Sequence, residues 1–211
     1  TRSLVVMGAI IVGIWALIFL LSFSGGMSES YVNNAIRNQL SHIQIHEPAF
    51  MNEKEVQYYF EDGSEKRQQL VRIPHVEEVA VRSLGNAMLS TSRGARGVQI
   101  RAVEPDLEKR VTHLEAKIMD GEYFGDRKNE LLLSERLADK LGVKVRSKVV
   151  LTFQDTNNEI TTAAFRISGL FDTGNNMYDE AVLFIKRADF NRLLDKEDIA
   201  HELAILLTDS D

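Results

Sequence analysis

The most pronounced pattern in the chain is an uninterrupted apolar stretch near its start. From Leu4 to Phe23 the sequence LVVMGAIIVGIWALIFLLSF contains no charged residue and no proline. About twenty residues in a helix extend about 30 Å, which matches the hydrocarbon core of a bilayer. The stretch therefore predicts a transmembrane helix rather than a buried core helix. A cleaved signal peptide is the alternative, because small residues follow at Ser24, Gly25 and Gly26.

A helical pattern continues beyond this stretch. Between Met27 and Leu40, apolar residues recur at spacings of three and four, as in an amphipathic helix. We therefore expect a transmembrane helix within residues 1–24 that continues outward as a helical stalk over residues 25–41. Arg2 flanks the other end of the apolar stretch and favours a cytoplasmic N terminus, with the domain that follows outside.

Short strand patterns follow the predicted stalk. In HIQIH, beginning at His42, isoleucines alternate with polar residues, which predicts a half-buried strand with its histidines on a solvated face. Pro48 ends this strand, and the valines after Pro74 predict another over VEEVAVRSLG. Further strands are predicted at residues 86–92, 97–103, 130–133, 148–153, 160–170, 181–185 and 202–207, and short helices at residues 106–114 and 187–194.

The clearest local signals are a capped helix and a hairpin. Ser134 precedes ERLADKL, and Gly142 stands where a helix ends in a left-handed turn. The turn sequence DTNN, beginning at Asp155, joins two strand patterns as a hairpin. Strands and short helices of this kind predict an α+β domain after the membrane helix.

Composition limits the classes of function. The 211 residues leave enough chain for one globular domain or two small ones after the apolar stretch. Arg2 is one of 25 Lys and Arg residues and no other charge precedes Glu29, so the remainder holds 24 basic against 31 acidic residues. This acidic balance disfavours nucleic acid as a partner. The sequence has no cysteine, which excludes disulfide scaffolds and cysteine nucleophiles.

Patterns for catalysis and for metal or nucleotide binding are missing from the sequence. No G-x-x-x-x-G-K-[ST] occurs, so we expect another polypeptide to bind any nucleotide. His42 and His46 stand about 13 Å apart if they lie on a strand, too far to share an ion. Asp172 and Asp179 flank a Gly-Asn turn without the alternating oxygen ligands of a calcium loop, so we expect solvated carboxylates there. Glu108 has no evident partner acid. We expect no catalytic residue, no metal and no cofactor.

Several segments, in order, resemble FtsX-like ABC transporter permeases with a MacB-like periplasmic core domain. They are HVEEVAVR, VQIRAVEPDLEK, LLLSERLADKLGV and FRISGLFDTGNNMYDEAVLFIKRADFNRLL, and they span most of residues 70–207. The last segment resembles the lipoprotein-releasing LolC/LolE type most closely. The resemblance implies a porter-like α/β subdomain at residues 42–85 and 199–211 and an inserted β-rich, sabre-like subdomain at residues 86–198.

The resemblance also implies a function and partners. It implies a permease in the bacterial inner membrane that couples cytoplasmic ATP hydrolysis to motion of the periplasmic domain, for lipoprotein release or export. The ATPase would be a separate subunit, so the chain itself would not be an enzyme. The other implied partners are a second permease copy or paralogue, lipoprotein cargo, a periplasmic carrier and membrane lipid. Since the family has four transmembrane helices, we expect the sequence to belong to a longer permease.

The resemblance implies contact residues for cargo or a partner in two places. LolC has a chaperone-binding hook near the predicted hairpin, which is shorter in this chain and lacks proline, and the Tyr-Asp pair belongs to the segment closest to LolC/LolE. The implied contact residues are Gln154, Asn157, Asn158, Met177 and Tyr178. Two alternatives remain: MacB-like efflux of peptides or small molecules, and a membrane-anchored periplasmic domain that senses a ligand.

Overall fold

The computed structural model describes residues 2–35 and 41–208 of the chain. Helix α1 (Arg2–Ala35) contains the stretch Val6–Met27, which is long and apolar enough to cross a membrane and is 0% buried in the structure. The predicted apolar helix is confirmed. Its predicted continuation as a stalk is helical as far as Ala35, and residues 36–40 of that stalk lie outside the described part of the chain.

Strands and short helices alternate after α1. The strands are β1 (Ile43–His46), β2 (Val76–Thr91), β3 (Gly94–Val103), β4 (Ile118–Gly121), β5 (Glu130–Ser134), β6 (Lys148–Gln154), β7 (Ile160–Phe171), β8 (Val182–Lys186) and β9 (Glu202–Leu207). The helices are α2 (Pro48–Glu53), α3 (Gly63–Leu70), α4 (Pro105–Val111), α5 (Glu135–Leu141), α6 (Asn176–Asp179) and α7 (Arg187–Leu193), with a 3₁₀ turn at Leu114–Lys117.

These strands pair into one sheet that closes on itself. β1, β9 and β2 are antiparallel neighbours. From β2 the pairing runs to β3, β8, β5, β7 and β6, and β6 pairs back with β2. The six strands of this closed cycle form a barrel, and β1 and β9 extend the sheet beyond it. Closure of this kind satisfies the backbone groups of both edges of the participating strands.

Strand β2 joins the two parts of the sheet. Its first part, up to Arg82, pairs with β9, and β6 takes over the same edge from Ala87 to Ser90. The prediction of two separate strands here is wrong, because Gly85 lies inside a strand that is paired on its β3 edge. A Cβ atom at Gly85 would lie 2.9 Å from both Phe190 and Val56, so glycine lets these side chains reach the strand.

The predicted subdomain boundary between residues 85 and 86 falls within β2. The strand passes from the β1–β9–β2 sheet into the barrel without interruption. The division into porter-like and sabre-like subdomains remains a prediction.

The main core fills the barrel. It combines apolar side chains from β2, β3 and β5 to β8 with residues from α5 and α7, including Leu89, Ile100, Leu131, Phe165 and Phe190, all fully buried. Burying apolar side chains of this size stabilises the fold by about 1.5–3 kcal/mol each. A second cluster around Phe171 and Phe184 lies outside this core, where Tyr123, Phe124 and Tyr178 cover it.

The predicted orientation of β1 is wrong. Ile43 and Ile45 are 47% and 39% exposed, whereas His46, expected to be solvated, is largely covered and stacks on Phe50 of α2 with ring centroids 6.2 Å apart. β1 is the outermost strand of its sheet, and α3 packs against β2. The isoleucine side of β1 is therefore left open, while α2 covers the histidine side.

Candidate functional site

The residues implied as contacts at 154–158 form the tip of the β6–β7 hairpin. Asp155 organises this turn, because its Oδ1 atom accepts hydrogen bonds from the backbone N–H groups of Asn157, at 2.8 Å, and Glu159, at 2.9 Å. The Gln154 side chain donates to the carbonyl oxygen of Asn158 at 3.2 Å. These bonds hold Gln154, Asn157 and Asn158 together at one exposed tip.

A polar cleft of about 270 Å³ separates this tip from the segment after α2. The Asn158 amide nitrogen reaches across to Oε1 of Gln57 at 3.5 Å, and Gln57 in turn donates to Glu55 at 2.6 Å. Amide and carboxylate groups at such a cleft can hydrogen bond to the backbone or polar side chains of a peptide. The lining residues are Glu53, Lys54, Glu55, Val56, Gln57, Asn86, Gln154, Asp155 and Asn158.

The outer face of the barrel beside the hairpin carries no charged side chain at its central positions. Residues paired across β3, β2, β6 and β7 point to this side, for example Gly97, Met88, Thr152 and Thr162. The remaining positions are Ala95, Gln99, Asn86, Ser90, Val150, Gln154, Ile160 and Ala164. In the whole chain, 27% of the residues are charged, so the absence of charge at these positions is distinctive. A partner can cover this face without burying an unpaired charge. We call it the neutral face.

The neutral face measures about 14 Å across four strands and about 13 Å along them, from the standard spacings of a sheet. Its apolar members are exposed: Ile160 is 80%, Met88 47% and Val150 37% accessible. Exposed apolar groups among uncharged polar ones are typical of surfaces that bind other macromolecules.

The other two implied contact residues lie far from the hairpin. Met177 and Tyr178 are in α6, which follows the opposite end of β7, and the length of β7 is about 36 Å at 3.3 Å per residue. Met177 is 84% exposed. The Tyr178 ring lies 5.3 Å from the guanidinium of Arg101, and its buried hydroxyl has no hydrogen-bond partner among the residues of the described ranges. Of this pair, Met177 is exposed and Tyr178 is partly buried.

The sequence predicts solvated carboxylates in the α6 loop, and this prediction is wrong for one of them. Asp179 is fully buried and accepts hydrogen bonds from the hydroxyl of Thr173, at 2.6 Å, and from its backbone N–H. Burial raises the pKa of Asp179 above the ordinary value of a carboxyl. Asp179 therefore anchors the loop from inside, while Asp172 is exposed.

Sequence patterns gave no sign of a buried ionic cluster at the point where β2 leaves β9. Arg82 is 0% exposed and binds Glu108 of α4 through two bonds, Nε to Oε2 at 2.9 Å and Nη2 to Oε1 at 2.7 Å. Its third bond goes to Glu202 of β9. Thr112 donates to Glu108 at 3.0 Å. We call Arg82, Glu108 and Glu202 the buried ionic triad.

Within the triad, Arg82 and Glu202 stabilise each other's charged form. Burial alone would lower the pKa of Arg82, but the carboxylates of Glu108 and Glu202 outweigh it and raise that pKa above its ordinary value. Burial would likewise raise the pKa of Glu202, but Arg82 and Arg101 hold it below the ordinary value. Arg82 and Glu202 are therefore charged at neutral pH. The triad ties β2, β9 and α4 together where the open sheet, formed by β1, β9 and the first part of β2, meets the barrel.

Within residues 2–35 and 41–208, no group of three or more His, Asp or Glu side chains could hold a metal ion. His42 and His46 make separate contacts: His42 accepts from the backbone N–H of Leu207 at 3.0 Å, and His46 lies 3.7 Å from Glu202.

The sequence profile of the MacB-like periplasmic core domain matches residues 3–211. Among solved structures, the extracellular domain of the noncanonic ABC-type transporter YknZ from Gram-positive bacteria is similar with a TM-score of 0.55 and 13% identity, over 80% of this chain and 83% of that one. The periplasmic region of MacB from Actinobacillus actinomycetemcomitans gives a TM-score of 0.54 and 11% identity, over 80% and 74%. At these identities the two structures support the fold. No curated protein sequence matches the chain.

Proposed function

The chain belongs to the MacB-like periplasmic core domain family, and we propose on this basis that it is part of an ABC transporter permease that releases or exports lipoproteins. Domains of this family occur in FtsX- and MacB-type permeases, which work with a cytoplasmic ABC ATPase. The apolar helix and the extracytoplasmic domain fit a membrane-anchored protein. We place it in the bacterial inner membrane with a cytoplasmic N terminus, and we assign ATP hydrolysis to a separate ABC ATPase subunit.

One observation supports a mechanical role for the domain: β2 runs without a break from the open sheet into the barrel. β1, the first strand after α1, pairs with β9, and β9 pairs with β2. A displacement of α1 would reach the barrel along these backbone hydrogen bonds and through the buried ionic triad, which clamps β2 to β9. In this proposal ATP hydrolysis in the cytoplasm moves the domain, and the domain carries no chemistry of its own.

We place cargo or partner contact at the hairpin tip and the adjoining neutral face. Gln154, Asn157 and Asn158 supply hydrogen-bonding groups beside a surface that has exposed apolar side chains and no charge. Such a surface suits an uncharged protein or lipid-modified partner better than a charged one. Met177 forms a second contact in the lipoprotein-release proposal, whereas Tyr178 acts there by holding α6 in place.

The first test is association with an ATPase and motion that depends on it. We expect full-length permease to co-purify with an ABC ATPase subunit.

Because these 211 residues contain no cysteine, spin labels can be attached at Ser24→Cys and Asn157→Cys. The distance between the labels should change when ATP is added. A control pair inside the domain, Asn157→Cys with Met177→Cys, should keep its distance. Failure to find an ATPase partner, or an unchanged first distance, would contradict the transport proposal.

The second test identifies the cargo. A photo-crosslinking amino acid at Asn157 should capture envelope lipoproteins in cells, and the same group at exposed Arg72, on the loop before β2, should not. Capture of unlipidated peptides or small toxins instead would favour MacB-like efflux. If crosslinkers at Asn157 and Met177 capture no molecule, and the protein signals in response to a ligand without any ATPase, the sensor alternative would be favoured.

A further inference from the structure

A second cleft lies away from the hairpin, on the edge of β7. It has a volume of about 810 Å³. Its walls come from the segment between β4 and β5, the residues before β6, and the middle of β7. The lining residues are Gly121, Glu122, Tyr123, Gly125, Asp126, Arg127, Glu130, Val145, Arg146, Arg166, Ile167 and Ser168. A volume in this range is typical of pockets for small molecules.

The cleft exists because β6 and β4 use the same edge of β7 one after the other. β6 pairs with β7 up to Arg166, and β4 pairs with it from Gly169. Between them, the backbone N–H groups of Arg146 and Glu122 donate to the carbonyl oxygens of Ile167 and Ser168, at 2.8 and 3.0 Å. The backbone of this edge is therefore satisfied, and side chains decide what the cleft can bind.

Close packing fixes the base of the cleft. Gly121 has φ of +82°, and a Cβ atom there would lie 2.4 Å from the carbonyl oxygen of Ser168. A Cβ atom at Gly169 would lie 2.5 Å from the carbonyl oxygen of Glu122. Side chains at either glycine would push β4 away from β7, so the two glycines keep the walls in place.

Three arginines line this cleft from three different segments. Arg127, Arg146 and Arg166 are exposed, and none of them forms an ion pair with a carboxylate among the residues that the structure describes. Within the described residues, Arg166 donates one long side-chain hydrogen bond, to the carbonyl oxygen of Arg146 at 3.4 Å. Their donor groups are thus available, in a protein whose net charge is -6.

The carboxylates of the cleft limit its charge. Glu130 is neutralised by Lys186 at 3.0 Å and accepts a bond from the backbone N–H of Gly125 at 2.8 Å. Glu122 and Asp126 are the other two acidic lining residues, so the arginines exceed them by one positive charge. A polyanion is therefore disfavoured, whereas one phosphate group can be held by guanidinium forks.

We propose that this cleft binds a ligand with a single phosphate group, held by Arg146 and Arg166 on one side and by Arg127 on the other. A soluble phosphomonoester and a phospholipid headgroup share this chemistry. The site is separate from the hairpin tip and does not rest on the proposed transport function.

Calorimetric titration of the detergent-solubilised chain at low salt tests the proposal. The probes are sn-glycerol 3-phosphate and short-chain dihexanoyl phosphatidic acid. We expect Arg146→Gln and Arg166→Gln each to weaken binding about tenfold or more, because each removes a charge-assisted hydrogen bond. Arg166→Lys should retain part of the affinity. Arg72→Gln removes one exposed arginine elsewhere and should leave binding unchanged.

The possible outcomes separate the proposal from its competitors. Binding of both probes identifies the phosphate group as sufficient, and binding of the lipid alone identifies a membrane headgroup as the ligand; both support the site. Absence of binding by either probe at millimolar concentration would overturn the proposal. Equal losses in Arg72→Gln and Arg166→Gln would overturn it too, since they would indicate general charge attraction. Unchanged thermal unfolding of the variants verifies that the fold is intact.

Discussion

Two buried polar residues hold the open sheet to the barrel. Arg82 is fully buried with two carboxylates, a state that is stable only while every charge keeps its partner. One strand position away from Glu202, His201 is also fully buried. Its Nδ1 atom accepts from the backbone N–H of Leu84 at 3.2 Å, and its Nε2 atom lies 2.9 Å from the carbonyl oxygen of Val56. This pairing requires a neutral ring with its proton on Nε2.

Replacing Arg82 with Met should lower the free energy of unfolding by about 3–5 kcal/mol, because it leaves Glu108 and Glu202 buried without a counter-charge. Urea denaturation measures the loss. Arg110→Met is the matched control: Arg110 is exposed and pairs at 3.1 Å with the buried Glu78, which keeps Arg67 as a second partner at 2.6 Å, so this change should cost at most about 1 kcal/mol. Adding Glu108→Gln and Glu202→Gln to Arg82→Met should recover part of the stability. Equal effects of the Arg82 and Arg110 variants would contradict a structural role for the triad.

Protonation of His201 should destabilise the domain in acid. Burial lowers the pKa of His201 to about 4, against an ordinary pKa of 6.5 in the unfolded chain. The unfolded state therefore binds a proton that the folded state excludes, and stability falls as pH drops from 6.5 towards 4, by about 3 kcal/mol at most from this group.

The measurement for His201 is the urea midpoint as a function of pH. His201→Gln keeps a donor and an acceptor but does not titrate, so its decline between pH 6.5 and 4 should be shallower than that of the parent chain. Identical slopes for the two proteins would refute the assignment of this pH dependence to His201.

Secondary-structure elements differ in how far their own sequence determines them. Helix α5 follows its local signals: Ser134 accepts from the N–H of Leu137 at 3.2 Å, and Gly142 closes the helix at φ of +60°. Helix α3, with the sequence GSEKRQQL, was not predicted, because it is polar on nearly all sides and gives no apolar periodicity. Its position depends on Leu70, which packs against the core of the open sheet.

Loss of the α5 cap provides a test at this scale. Ser134→Ala should lower the free energy of unfolding by about 1–2 kcal/mol, because it leaves the N–H of Leu137 without its acceptor and also removes the hydrogen bond from Ser134 to the carbonyl oxygen of Asp179. Thermal or urea unfolding gives the value. Ser92→Ala, in an exposed turn, should change stability by less than about 0.5 kcal/mol. A Ser134 variant as stable as the Ser92 variant would rule out the cap as a stabilising feature.

The molecule as a whole separates the membrane helix from the folded domain. Described side chains of α1 are exposed, whereas residues from Phe50 to Ile205 form the buried clusters. The barrel closes without any contribution from α1. The chain therefore combines an apolar helix, which needs a bilayer, with a domain that has its own core.

A chain that begins at Ser41 and ends at Thr208 should consequently fold by itself. We expect it to be soluble without detergent and to unfold cooperatively, with a urea midpoint equal to that of the domain in the longer chain. Circular dichroism during urea titration measures both. The longer chain in detergent serves as the control. Aggregation of the shorter chain, or a midpoint well below the control, would mean that α1 stabilises the domain.

The sequence by itself determined the features whose cause is local. An apolar run without charges dictates a helix at residues 4–23, and the Ser134 and Gly142 signals determine the ends of α5. The turn at Asp155 likewise determines the β6–β7 hairpin. In each case the residues that decide the conformation are neighbours along the chain, so their pattern can be read directly.

Only the tertiary structure decided the features that join distant parts of the chain. Glu108 and Glu202 lie 26 and 120 positions after Arg82 in the sequence, so no spacing rule could group the three residues. The same holds for the burial of His46, for the separation of Met177 from the hairpin tip, and for the arginine cleft. These depend on which strands share an edge and which helix covers which face. Long-range pairing of the sheet settles both, because local periodicity does not specify strand order.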